Sequence, residues 1–169
     1  MSNVPATVFS YNTSNVSNVV AIGDTRVSPD RASEHRFFFV VVSLSDLSVA
    51  AQSVSTSNSD VPSDIQAYAG STGHFLVFTC LGQITGNMPQ GDLAAFLRAA
   101  GSGRVLEGME QAVAQLGTGN NGSYTYALAA TLDDGDLPGY EVGSFSDFCS
   151  YLTFAFMPME GGGYAPVSL

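Results

Sequence analysis

Two stretches of this chain, RFFFVVVSL (residues 36–44) and HFLVFTCLG (74–82), carry large apolar side chains on consecutive positions rather than alternate ones. Successive side chains of a strand point to opposite faces of its sheet. A strand apolar at every position must therefore be covered on both sides. Seven or eight residues fall well short of the ~20 that span a bilayer as a helix. The Phe and Val content favours an extended conformation over a helical one. Residues 37–42 are thus expected as an interior strand. One side should face helices, and the other a second sheet or a neighbouring subunit.

Further strands are expected at Thr7–Tyr11, Val16–Ile22, Leu47–Ser55, Ser123–Thr131 and Phe148–Met157. Helical spacing appears in the middle of the chain. In GDLAAFLRAAG, Leu93, Phe96, Leu97 and Ala100 share a face, Asp92 is a candidate cap and Gly101 an exit. In RVLEGMEQAVAQLG, Leu106, Met109, Val113 and Leu116 form a stripe opposite Glu107, Glu110, Gln111 and Gln115. A short helix is expected with Asp60 as its N-cap, Pro62 in its first turn and Gly70 closing it. The terminal EGGGYAPVSL reads as an extended tail that docks on something. Strands first and helices clustered midway predict an α+β class. The expected form is mostly antiparallel, with about seven strands and two or three helices packed on one face. No repeat or linker divides the chain, so residues 1–169 are expected as a single domain.

Charge is what sets the composition apart. Fifteen acids face five arginines and no lysine, for a net charge of −10, and charged residues make up only 12%. That is about half the usual share. The acidity argues against nucleic acid or an anionic membrane as partner, since both require a basic face. Membrane insertion and a secretory signal are not expected, because the first twenty residues lack a basic start and an apolar run. Depleted charge with aromatics retained is how the core of a protein interface differs from free surface. The expected partners are copies of the chain itself, together with other assembly proteins. A monomer with a neutral Ser/Thr-rich skin is the alternative.

Chemistry-bearing residues are few. His35 and His74 are the only histidines, each beside a strand, and both read as structural. A His74–Cys80 dyad fails because six residues along a strand separate them by roughly 20 Å. The two cysteines, Cys80 and Cys149, sit in apolar runs, and pairing cannot be read from their spacing. No G-x-S-x-G elbow and no paired Cys/His spacing for zinc occur. GTGNNG (117–122) has the letters of a dinucleotide loop but follows a helix and precedes a strand, the reverse of the required context. Asp133, Asp134, Asp136 and Glu141 offer hard oxygen ligands and form a weak Ca²⁺ candidate. A solvated acidic turn is the simpler reading of the same residues. No cofactor is expected.

These observations converge on a non-enzymatic structural subunit of a homomeric assembly, in a virion (capsid, decoration or tail) or a cytoplasmic particle. Its expected contact residues are Phe9, Tyr11, Tyr151, Phe154, Phe156 and Tyr164, together with Arg26, Arg31 and Arg36. The arginines would meet the acidic 133–141 turn of a neighbour. The alternatives are a soluble glycan-binding module using Tyr124 and Tyr126 and, less favoured, a hydrolase working through carboxylates.

Overall fold

The computed structural model describes residues 2–12, 16–29, 36–116, 122–132, 138–145 and 148–169. Its class is mostly β, which corrects the expected α+β. Two antiparallel sheets dominate, and the described helices are few and short. The first sheet has the order β11 (Tyr164–Ser168), β10 (Cys149–Pro158), β1 (Val4–Tyr11), β2 (Val19–Ile22), β3 (Thr25–Val27). The second runs β5 (Val49–Ser55), β4 (Arg36–Ser43), β6 (His74–Leu81), β8 (Ser123–Thr131), β7 (Gln83–Ile84), with β9 (Tyr140–Ser144) also paired to β8. The helices are α1 (Ser63–Gln66), α2 (Gly91–Ala99) and α3 (Arg104–Leu116). The expectation failed because β3, β7, β9 and β11 are short or interrupted by Gly, Pro or charge, whereas the two long helical stripes stand out.

The two-sided run behaves as its pattern demands. All six side chains of residues 37–42 are at most 2% exposed on β4, which lies between β5 and β6. Phe38, Val40 and Val42 face the other sheet, in a cluster with Val8, Val20, Phe154 and Phe156. Phe37, Phe39 and Val41 face the opposite way, clustering with Phe78, Leu93, Leu97, Leu106 and Met109. Full burial of each such side chain contributes about 1.5–3 kcal/mol.

A polar seam fixes how the two sheets sit on each other. Asn18 is fully buried; its Oδ1 accepts from the Tyr11 amide at 2.8 Å. Its Nδ2 donates to Thr79 Oγ1 at 2.7 Å and to the Cys80 carbonyl at 2.9 Å. Ser10 Oγ donates to the same carbonyl at 2.6 Å and accepts from the Tyr126 amide at 3.2 Å. Every bond in this set except the Tyr11 one joins the two sheets, and hydrogen bonds specify a register that apolar contacts alone do not.

The C-terminal segment docks on the chain itself. β11 pairs with β10, and the Tyr164 amide donates to the Leu44 carbonyl at 2.8 Å, tying β11 to the turn after β4. Gly163 makes this approach feasible: its φ is +78°, and a Cβ there would lie 2.9 Å from Leu44 O. Two expected caps are corrected. Pro62 rather than Asp60 precedes α1, and Gln90 rather than Asp92 precedes α2, with Asp92 in the first turn. Gly101 does leave α2 with a left-handed φ of 95°.

Candidate interaction surface

The register of β1 against β10 places Thr7 opposite Thr153, Phe9 opposite Tyr151 and Tyr11 opposite Cys149. The alternating partners Ala6, Val8 and Ser10 turn inward and are buried, so this set lies on the outer face. There Phe9 stacks on Tyr11 with centroids 5.9 Å apart and leans on Tyr151 at 6.1 Å. Tyr151 is 61% exposed, Met157 on the same strand 45%, and Phe148, just before it, 78%. The Asn12 amide donates to the Phe148 carbonyl at 2.9 Å, carrying the β1–β10 pairing one step past Tyr11. An outer sheet face is ordinarily polar. This one carries a strip of three adjoining rings with further apolar groups on β10.

The electrostatics of the face are as unusual as its shape. Its five strands contain no Asp or Glu, and Arg26 on β3 is their one charged residue. Burial and the adjacent Cys149 thiol push the Tyr11 phenol above its usual range, and Arg26 pulls weakly the other way. Burial likewise raises the Cys149 thiol, and raises Cys80 far more. Both cysteines are free, and neither has the lowered pKa of a reactive thiolate.

The remaining anticipated residues are dispersed. Phe154 and Phe156 are 1% and 0% exposed and hold the inter-sheet core, Phe154 stacking on Tyr140 at 5.5 Å. Tyr164 is half-buried against the same cluster. Arg26 is exposed on one sheet, while Arg36 is half-buried at the start of β4 on the other, opposite Leu81. Arg31 and the acids Asp133, Asp134 and Asp136 lie outside the described residues, as does His35. His74 Nδ1 is 2.6 Å from Ser71 Oγ, and its ring packs on Tyr68 at 4.7 Å.

Glu141 has a structural task. Its Oε1 accepts from the Gly103 amide at 2.7 Å, and Oε2 accepts from the Leu106 amide at 3.2 Å and from Tyr126 Oη at 2.7 Å. It thus caps the first turn of α3 from a distant strand, placing a negative charge at the positive end of the helix. Gly143, two residues on, lets α3 lie close: a Cβ there would collide with Met109 and come within 3.2 Å of the Tyr126 ring. Tyr124 and Tyr126 are fully buried, so their rings present nothing to a glycan. Burial pushes both phenols well above their usual range, with Cys80 and Glu141 respectively adding to the shift.

An open groove of about 540 Å³ is lined by Asp60, Val61, Gln66, Asp92 and Phe96. Asp60 there accepts from the hydroxyls of Ser57 and Ser59, at 2.6 and 3.2 Å. Among the described residues no three His, Cys, Asp or Glu side chains gather as a metal site. No described helix is long and apolar enough to cross a membrane.

Sequence reasoning singled out Phe9, Tyr11 and Tyr151, which lie together on this face, but not the exposed Phe148 and Met157. A strand apolar on both sides does not announce which parity faces out, and only the pairing with β1 decides it. No protein-family model matches the chain, and no curated protein matches it.

Proposed function

We propose that the chain is a non-enzymatic structural subunit that associates with copies of itself through the outer face of the five-stranded sheet. The observation that carries this reading is an aromatic strip, Tyr11–Phe9–Tyr151, on a sheet whose strands contain no acid. A chain of net charge −10 repels its own copies wherever acids oppose one another. On this face two copies meet without that penalty, and the exposed rings are the kind of anchor that dominates interface energies. A repeated shell, decoration or tail lattice of a virion is the assembly we favour, since it leaves each subunit little free surface to keep charged.

Multi-angle light scattering on the purified chain tests the reading. The expected result is a mass that is a multiple of 17.6 kDa at micromolar concentration. Tyr151→Glu, which sets a charge at the exposed end of the strip, should shift the population to monomer without lowering the melting temperature. A wild-type chain that stays monodisperse at 17.6 kDa into the millimolar range overturns it.

A further inference from the structure

The outer strands of the two sheets are not equally protected. A free strand edge presents unpaired N–H and C=O groups, and proteins blunt it with charge, proline, bulges or shortness. β3 has three residues and carries Arg26. β11 carries Pro166, and β7 has two residues. β9, paired only with β8, carries Glu141 and Gly143. β5 is different: seven residues, VAAQSVS, with no charge, no proline and no glycine, paired only with β4. Its first part is guarded, because the register against β4 shifts between Val41 and Val42, and Tyr68 Oη donates to the Ala50 carbonyl at 3.3 Å. Residues 51–55 have no such cover among the described residues.

We infer that residues 51–55 of β5 pair antiparallel with the same segment of a second copy, joining two six-stranded sheets across a twofold axis. The chemistry of the edge selects an extended strand, and the neutral side chains make this segment a suitable partner for itself. A twofold centred on Ser53 sets Gln52 against Val54 and Ala51 against Ser55, so no like charges oppose one another. A twofold contact also closes after two copies instead of growing into a fibre. Beside the edge lies a cleft of about 160 Å³, formed by Ser28, Pro29, Phe38, Gln52, Ser53 and Val54. Gln52 and Val54 pair with Val40 and Phe38, which face between the sheets, so their side chains lie on the cleft side. The partner's Gln52 and Val54 would arrive on that same side and cover Val54, which is 36% exposed here. This contact is separate from the aromatic face and stands whether or not that face is used.

Two experiments on the full chain test it. In a Cys149→Ser background, Ser53→Cys should cross-link under mild oxidation to a species of twice 17.6 kDa. It should do so at least tenfold faster than Ser63→Cys, an exposed control on α1. Gln52→Lys, which adds the missing guard to the edge, should raise the dissociation constant of this contact at least tenfold with an unchanged melting temperature. Adding Tyr151→Glu separates the two surfaces: cross-linking that survives it assigns the contact to the β5 edge. Equal cross-linking rates for the two cysteines, or association indifferent to Gln52→Lys, overturns the pairing.

Discussion

On the six-stranded sheet the outward-facing Phe37, Phe39, Phe78 and Tyr126 are all 0% exposed; on the five-stranded sheet the outward-facing Tyr151 and Met157 are 61% and 45% exposed. Both sheets are built of the same Phe, Tyr, Val and Ala. The difference lies in what the chain supplies as cover. Leu93, Leu97, Leu106 and Met109 of α2 and α3 close over the first set. Those helices also carry Asp92, Glu107 and Glu110, so the covered side turns acids toward solvent. The strands of the other sheet carry no acid, and no described helix packs over Tyr151 and Met157. Burial of a ring on this molecule is therefore a matter of which neighbour it meets, not of the strand that bears it.

Phe78→Ala against Tyr151→Ala is the sharpest way to break that contrast. The first removes a ring packed between Phe37, Phe39 and Tyr126 and should cost about 3–5 kcal/mol in urea unfolding. The second should cost under about 0.5 kcal/mol in dilute protein. Equal costs would mean that the five-stranded face is already covered.

A smaller effect probes how the covered side is held. Glu141→Ala strips two helix amides and a buried phenol of their acceptor, and should cost about 2 kcal/mol by the same measurement. A loss under about 0.5 kcal/mol would show that α3 does not depend on this cap.

The mildest expectation concerns pH. Burial raises Cys80, Tyr124 and Tyr126 above their ordinary 9.0 and 10.0, all three on the covered side. An acid whose folded pKa is raised leaves its stabilisation complete below the unfolded value, and loses it as pH climbs beyond. The urea midpoint should be level from pH 7 to about 8.5 and fall above about pH 9. A level profile to pH 11 would contradict the burial of these groups.

The strands that were legible in the sequence are those whose pattern left one physical option. Residues 37–42 had to be covered twice, and they are. The class was not legible, because β3, β7, β9 and β11 are defined by the strands they pair with rather than by their own residues. YEVGS and YAPVS become strands only because β8 and β10 lie alongside. The candidate surface was half legible. Phe9, Tyr11 and Tyr151 are aromatic and outward, while Phe154 and Phe156, on the same strand as Tyr151, turn inward by the parity that β1 imposes. Glu141 looked like one member of an acidic cluster, since nothing local links it to the first turn of α3.

Val4 pairs with Phe156, and between them lies nearly the whole chain. β1 must wait for β10 to be synthesised before its second flank is satisfied. Completion of the five-stranded sheet therefore follows the synthesis of β10 and β11, and the slow step of folding is a loop closure on that scale. Until then β1 offers an open flank to any other unfinished copy. High expression should favour entanglement between nascent chains over solitary folding.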